Sequence, residues 1–298
     1  MLSIRYGRRT SQSGFTLMEL LVVLVILGFL LGMVLPRLGS IADNAVDTVC
    51  DSNNKGIRYF TKLYLDEKGR YPNDLINLVD LTDTNNEMSV SDLTTDGKGM
   101  LHPDFATRNG YTVRALDATE AAELKKWGIS KVRNYVGTGG QKLERVSIDD
   151  AGVLVASVGA LATTRAGAVT AMNTAKGNPY WYGRIMLGVG ETSSLITEGY
   201  VQAAALCPGG IQNADVVEYN NYVLVLPRLE STVALLGAAA VDSAGDVVEY
   251  TLTEDGAASG TARVETITLE AQEKWNFDMS CPEGHKWPDN DNDEWTVS

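Results

Sequence analysis

Ser13-Gly14-Phe15-Thr16-Leu17-Met18-Glu19 opens an apolar run that continues through Leu20-Leu21-Val22-Val23-Leu24-Val25-Ile26-Leu27-Gly28 to Leu35. From Phe15 to Leu35 the run is 21 residues long, and its one charge, Glu19, stands near its start. About 20 apolar residues cross the hydrocarbon of a bilayer as a helix. A carboxylate in such a span costs ~2.5–3.5 kcal/mol by analogy with Asp on insertion scales, and groups of this kind usually have a task. Ahead of the run, residues 1–14 carry Arg5, Arg8 and Arg9 and no acidic residue. Such a basic flank stays cytoplasmic, which places everything after the span outside the cytoplasm. An ordinary secretory signal fits poorly, because its apolar core is ~7–15 residues long. Ser40-Ile41-Ala42 has the small-x-small pattern of a signal cleavage site, but Arg37 interrupts the approach to it. A plain bitopic anchor fits the length and leaves Gly14-Phe15 and Glu19 without a reason.

Gly14-Phe15 with Glu19, followed by the apolar run to Pro36, resembles the cleavage and assembly signature of type IV prepilins and type II secretion pseudopilins. The resemblance is specific over this segment and thins beyond it. It implies cleavage after Gly14 by a prepilin peptidase and methylation of the new amino group on Phe15. Gly14 suits such a site because it has no side chain to obstruct close backbone approach. A desolvated carboxylate needs a positive partner. The family implies that the partner of Glu19 is the terminal amine of Phe15 in a neighbouring subunit, which would draw a new subunit from the bilayer in register. The bland alternative is that Glu19 snorkels to the headgroups. Processing and assembly thus involve Gly14, Phe15, Glu19 and Pro36.

Pro36 and Gly39 mark a kink or loosened turn rather than an end, because the helical pattern recovers at once. Ile41, Val46, Val49, Cys50, Ile57, Phe60 and Tyr64 fall on one face, and Asp43, Asp47, Asp51, Lys55, Arg58, Lys62 and Asp66 form a charged stripe on another. Asp51 and Lys55 stand in the favoured (i, i+4) order. Gly69-Arg70-Tyr71-Pro72 ends the helix. That segment, with Asp74-Leu75 after it, also looks like the stretch that follows the long helix in major pseudopilins. The organisation read from the chain is a leader over residues 1–14, a long helix over 15–68 and a globular head over 69–298. The helix has an apolar assembly half (15–35) and an amphipathic half (36–68).

The 298 residues are 44% apolar, enough for one sizeable extracytoplasmic core beyond the anchor. Segments rich in Ala, Gly, Val and Thr, such as Ala151–Ala171, suit short strands and turns. Removal of Arg5, Arg8 and Arg9 with the leader would take the formal net charge from −13 to −16. So acidic a surface repels nucleic acid, which is bound through Lys and Arg on phosphate. Asp117 with Glu120 resembles a capping box and Gly128 a C-terminal stop, which predicts a helix over Ala118–Trp127. Strands are predicted at Lys131–Val136, Val153–Val158, Arg184–Gly188, Tyr222–Leu226, Asp246–Leu252 and Ala262–Leu269, the last two as a hairpin-like pair around Glu254-Asp255-Gly256. The fold class expected is α+β and pilin-like: a long N-terminal helix on an antiparallel sheet, with an enlarged head carrying an insertion around residues 80–180.

Cys207 and Cys281 occupy the similar contexts Cys-Pro-Gly-Gly and Cys-Pro-Glu-Gly. Exported domains permit disulfides, and a Cys207–Cys281 bridge is expected. It would close a loop of about 75 residues and stabilise by ~4 kcal/mol in the loop-entropy picture. Type IV pilins commonly carry a disulfide near the C-terminus. The alternative is two buried free thiols. A zinc knuckle using His285 is not expected, because each Cys-Pro pair lacks the second cysteine of a CxxC. Cys50 reads as an apolar packing residue on the helix.

Trp287-Pro288-Asp289-Asn290-Asp291-Asn292-Asp293-Glu294-Trp295 alternates carboxylates in a way that can turn Asp289, Asp291 and Asp293 toward one calcium ion. Pseudopilins tend to bind calcium near the C-terminus, so the resemblance implies the same ion. A solvated acidic tail is the bland reading, and the two flanking tryptophans argue against it. Glu294 occupies the glycine position of an EF-hand loop, which excludes that motif. No catalytic function is expected. His102 and His285 are the two histidines, neither in a metal-ligand spacing, and there is no G-x-S-x-G elbow or P-loop.

The sequence therefore points to a structural subunit of a pilus-like or secretion filament. Its partners would be a prepilin peptidase, identical or related subunits, and a separate assembly ATPase and platform, with the inner membrane as reservoir. The head would be extracytoplasmic before assembly and periplasmic or extracellular in the filament, with no cofactor required beyond possible calcium. The reading from another class is a monomeric membrane-anchored binding module or adhesin.

Overall fold

A 52-residue helix, α1 (Leu17–Lys68), begins the described chain. The computed structural model describes residues 17–80, 105, 111–136, 142–158, 179–204, 207, 221–240, 249–255, 264–284, 286–287 and 294–297. The chain divides into two units, residues 1–47 and 48–298. In the first, the described chain is helical from Leu17, and Glu19 lies in the first turn, where the positive end of the helix dipole favours an acid. The helix passes through Pro36 and Gly39 without ending, as the recovered periodicity predicts. The side chains of Pro36, Ile41 and Val46 lie outside the described residues. Among the described residues no helix is long and apolar enough to cross a membrane; the described side chains of the apolar half stop at Gly32.

In the second unit, residues 48–68 of α1 bury Cys50, Asn54, Ile57, Thr61, Tyr64 and Leu65, successive positions three, four or one apart on one face. Cys50, Ile57 and Tyr64 match the apolar face expected, and Phe60 packs against it half-buried. Val49 does not: it is 47% exposed. The buried line follows Cys50, Asn54, Ile57, Thr61 and Tyr64, so Val49, one residue from Cys50, is turned about 100° away. Polar Asn54 and Thr61 take the positions that the apolar pattern left blank. Gly69, with φ of 67°, turns the chain out of the helix, its N–H donating to Leu65 O at 2.9 Å.

The main sheet is built from β1 (Leu75–Asp80), β2 (Tyr111–Ala115), β3 (Lys131–Val136), β4 (Lys142–Ser147), β5 (Leu154–Val158), β6 (Ile185–Val189), β7 (Tyr222–Val225), β10 (Asp278–Ser280) and β11 (Lys286–Trp287). Its order is β11-β10-β7-β6-β1-β3-β4, with β5 pairing β6 beside β1 and β2 pairing β5. A second sheet contains β8 (Glu249–Asp255), β9 (Val264–Thr268) and β12 (Glu294–Val297), in the order β12-β8-β9. β8 and β9 form the antiparallel pair expected, in register from Glu249↔Thr268 to Thr253↔Val264. The main sheet corrects the expectation of a purely antiparallel one. β1 and β3 are parallel, with Leu75 opposite Val132. Between them the chain passes through β2 and α2 (Ala118–Trp127), and a crossover of that kind is what a parallel pair requires. The fold is α+β with a mixed sheet.

Both faces of the sheet are covered, which explains why β6 and β7 read as near-continuous apolar runs. Ile185, Leu187 and Val189 of β6 and Tyr222 and Leu224 of β7 join the core that includes Cys50, Ile57 and Tyr64 of α1. Met186, Val223 and Val225 point into a second cluster with Ala156, Val158 and Trp181. At the edge of the first core, α2 has the predicted capping box: Asp117 accepts from Thr119 N at 2.8 Å, and Glu120 accepts from Asp117 N at 3.2 Å. Gly128 caps its C-terminus at φ of 104°. Two further α-helices among the described residues are α3 (Ser194–Thr197) and α4 (Glu230–Ala240).

Candidate functional site

Among the described residues, the N-terminal segment exposes a long apolar surface. Leu17 is 84% and Met18 77% exposed, and Leu20 through Leu27, with Phe29, Leu30 and Leu31, are each at least 47% exposed. Glu19 is exposed among them. So long an apolar strip is far from the small, scattered patches of a monomeric soluble protein and marks a surface meant for other apolar groups. Gly14 and Phe15 lie outside the described residues.

The second unit holds a site that the sequence reading did not assemble. Cys50, Cys207 and Cys281 are all buried, and their sulfurs lie within 4.8 Å of one another. Three separate segments supply them: α1, the chain between α3 and β7, and the residue following β10. Cys50 Sγ is 3.8 Å from Cys207 Sγ. The carboxylate of Glu283, half-buried, brings Oε2 to 3.9 Å from Cys207 Sγ. Tyr222 donates its hydroxyl to the carbonyl of Cys50 at 3.4 Å. Cys207 and Cys281, the pair expected to bridge, thus share one pocket with Cys50, and no two of the three sulfurs are joined in the structure. The Cys50–Cys207 separation is far above the ~2.05 Å of a bond between those two sulfurs. The contact with Cys207, then burial, pushes the Cys50 thiol up to about 12, with the contact to Cys281 acting against them. Burial first, then the contacts with Cys207 and Cys50, pushes Cys281 up as well. The signal for Cys50 was its place on the buried helix face; nothing in the sequence said which distant cysteines that face meets.

The charged networks of this unit are architectural. Arg184 is buried and donates to Asp278 Oδ2 at 2.7 Å, to Leu226 O at 2.6 Å, to Asn276 O at 2.8 Å and to Val225 O at 3.0 Å. Arg228 donates to the carbonyls of Tyr182, Glu270 and Tyr180 at 2.8, 2.9 and 3.0 Å. Together the two guanidiniums tie residues 270–278 to the sheet. Glu120, fully buried, accepts from both terminal nitrogens of Arg114 at 2.6 and 2.8 Å and from Thr232 Oγ1 at 2.6 Å. Asp74, in a left-handed conformation at φ of 57°, is clasped by Arg133 at 3.2 Å and Arg145 at 2.5 Å. Each carboxylate is held by partners that neutralise it, which suits scaffolding rather than proton transfer.

Asp289, Asp291 and Asp293 lie outside the described residues, as do His102 and His285. The strands that bracket the acidic run are described: β11 pairs with β10 of the main sheet, and β12 pairs with β8 of the second. The run therefore links two sheets.

Residues 9–35 match the prokaryotic N-terminal methylation motif. The chain carries this prepilin-type motif on the segment where Gly14, Phe15 and Glu19 stand. Over 65 residues it is 42% identical to the type II secretion system core protein G of Pseudomonas aeruginosa, a match covering 22% of this chain and 46% of that relative. The chain thus spans about half the length of the curated relative it matches. No solved structure matches the chain.

Proposed function

We propose that this protein is a pilin or pseudopilin subunit, cleaved after Gly14 and polymerised through its N-terminal helix. The observation that carries the reading is the uncovered apolar surface from Leu17 to Leu31 with one carboxylate, Glu19, in its first turn. In the bilayer, lipid covers that surface before assembly; in a filament, identical helices cover it. The new amine of Phe15 would neutralise Glu19 of a neighbour, so that a charge in apolar surroundings becomes a register signal. The head, residues 69–298, would form the filament surface on the extracytoplasmic side. Prepilin peptidase, an assembly ATPase and a platform would be the partners in the inner membrane. The short match to a secretion core protein and the Tyr71-Pro72 segment favour the secretion filament over a surface pilus. Asp289, Asp291 and Asp293 remain the ligand set proposed for calcium. Catalysis is not part of the role.

The test is a filament-shearing assay in the native cell envelope. Glu19→Val should leave the protein in the membrane at normal abundance and remove it from the sheared fraction. Filaments that form normally with Glu19→Val would overturn the assembly mechanism and favour a monomeric anchored binding module.

A further inference from the structure

From the placement of Cys50, Cys207, Cys281 and Glu283 we infer that the head contains a structural metal site for one thiophilic cation, zinc in the first instance. A tetrahedral zinc with Zn–S of about 2.3 Å has S···S edges of about 3.8 Å, and with Zn–O of about 2.1 Å it has S···O edges of about 3.6 Å. The Cys50–Cys207 separation is 3.8 Å, and the Cys207–Glu283 separation is 3.9 Å. All three sulfurs fall within 4.8 Å, so each can reach one centre with small side-chain adjustments. A disulfide would use two of these sulfurs. The metal uses all four groups.

A second observation points the same way. Asn54 follows Cys50 by one helical turn on the same face, is fully buried, and among the described residues has no hydrogen-bond partner for either amide atom. Buried polar groups in folded proteins are nearly always satisfied. The face of α1 that carries Cys50 thus holds an unsatisfied polar group one turn from the site. Thiolates are the soft ligands that select zinc or copper(I) over calcium and magnesium, so this centre is chemically distinct from the acidic C-terminal run. Loading would replace three S–H bonds by three metal–sulfur bonds and release three protons to solvent, with no change of oxidation state. The result would cross-link α1, the segment before β7 and the end of β10, three parts far apart in sequence.

The test uses full-length protein, extracted from membranes in detergent without a histidine tag, chelator or reductant. Metal content is read by plasma mass spectrometry, thiols by a chromogenic thiol reagent before and after chelation, and oxidation state by intact mass. The inference expects stoichiometric zinc, three thiols that react only after chelator is added, and an intact mass with all cysteines reduced. Cobalt exchanged into the wild-type protein should give the intense visible bands of a tetrahedral thiolate site, a readout that needs no variant to fold. Cys207→Ser and Cys281→Ser should each lose the metal. Three thiols reactive without chelator and no bound metal would overturn the site. A mass lower by two hydrogens with one remaining thiol would overturn it in favour of a disulfide.

Discussion

Arg184 donates a 2.7 Å hydrogen bond to Asp278 from a position that is itself 2% exposed, and through it the start of β10 is fastened to β6 and β7. Asp278 also accepts from Trp181 Nε1 at 2.8 Å and faces Arg58 of α1 at 3.5 Å. One carboxylate therefore closes contacts from the helix, the sheet and the loop before β6. Burial pushes the Arg184 guanidinium down from its ordinary value, and the charge of Asp278 works against that shift. Asp278→Asn removes the compensation and leaves a buried cation. The expected loss is about 2–3 kcal/mol, below the ~3–5 kcal/mol of a wholly buried pair, because the Asp278 side chain is 29% exposed. Thermal unfolding of the full chain in detergent, followed by circular dichroism, measures it.

Gly128 should tolerate no side chain. Its φ is 104°, and a Cβ there would lie 2.7 Å from Arg70 Cβ and 3.1 Å from Tyr71 O. Gly152 has a comparable φ of 79° with nothing within 4 Å. Gly152→Ala should cost only the left-handed conformation, about 1–2 kcal/mol. Gly128→Ala should cost clearly more, since backbone and the root of a side chain must also move. Equal losses in paired melts would mean that the clash is relieved.

The capping helix was readable because its signals are local. Asp117, Glu120 and Gly128 act within one element, and α2 falls at Ala118–Trp127 as the pattern predicts. The strands β3, β5, β6 and β7 were legible from β-branched runs bounded by turns. β1, β2 and β4 were not. Leu75–Asp80 is a short run directly after the turn at Gly69-Arg70-Tyr71-Pro72, and Lys142–Ser147 carries Lys142, Glu144 and Arg145 on an edge of the sheet. The parallel pairing of β1 with β3 was hidden for a different reason: it depends on the path between them, which no local pattern encodes. The cysteine cluster was hidden in the same way. Sequence context grouped Cys207 with Cys281, whereas packing brings in Cys50 from 157 residues away.

Acid should reach the Lys125–Asp149 link only at low pH. The hydrogen bond from Lys125, at 2.6 Å, and that from Ser147 hold the Asp149 carboxyl at about 2, below the usual carboxylate range. A group lowered on folding stabilises fully above its unfolded value, about 3.9, and loses that contribution as pH falls through its folded value. The difference in melting temperature between the protein and Asp149→Asn should therefore be constant from pH 7 to about 4, and then shrink toward zero near pH 2. A difference that persists at the acid end would show that the substitution changes packing rather than charge.

The central claim is that the chain is processed at the segment where the methylation motif and the uncovered apolar helix coincide. Mass spectrometry of the mature N-terminus, from native envelope or sheared filaments, tests it most directly. The account predicts a chain that begins at Phe15 with a methylated amino group. A chain that keeps Met1, or one that begins after Ala42, would contradict it.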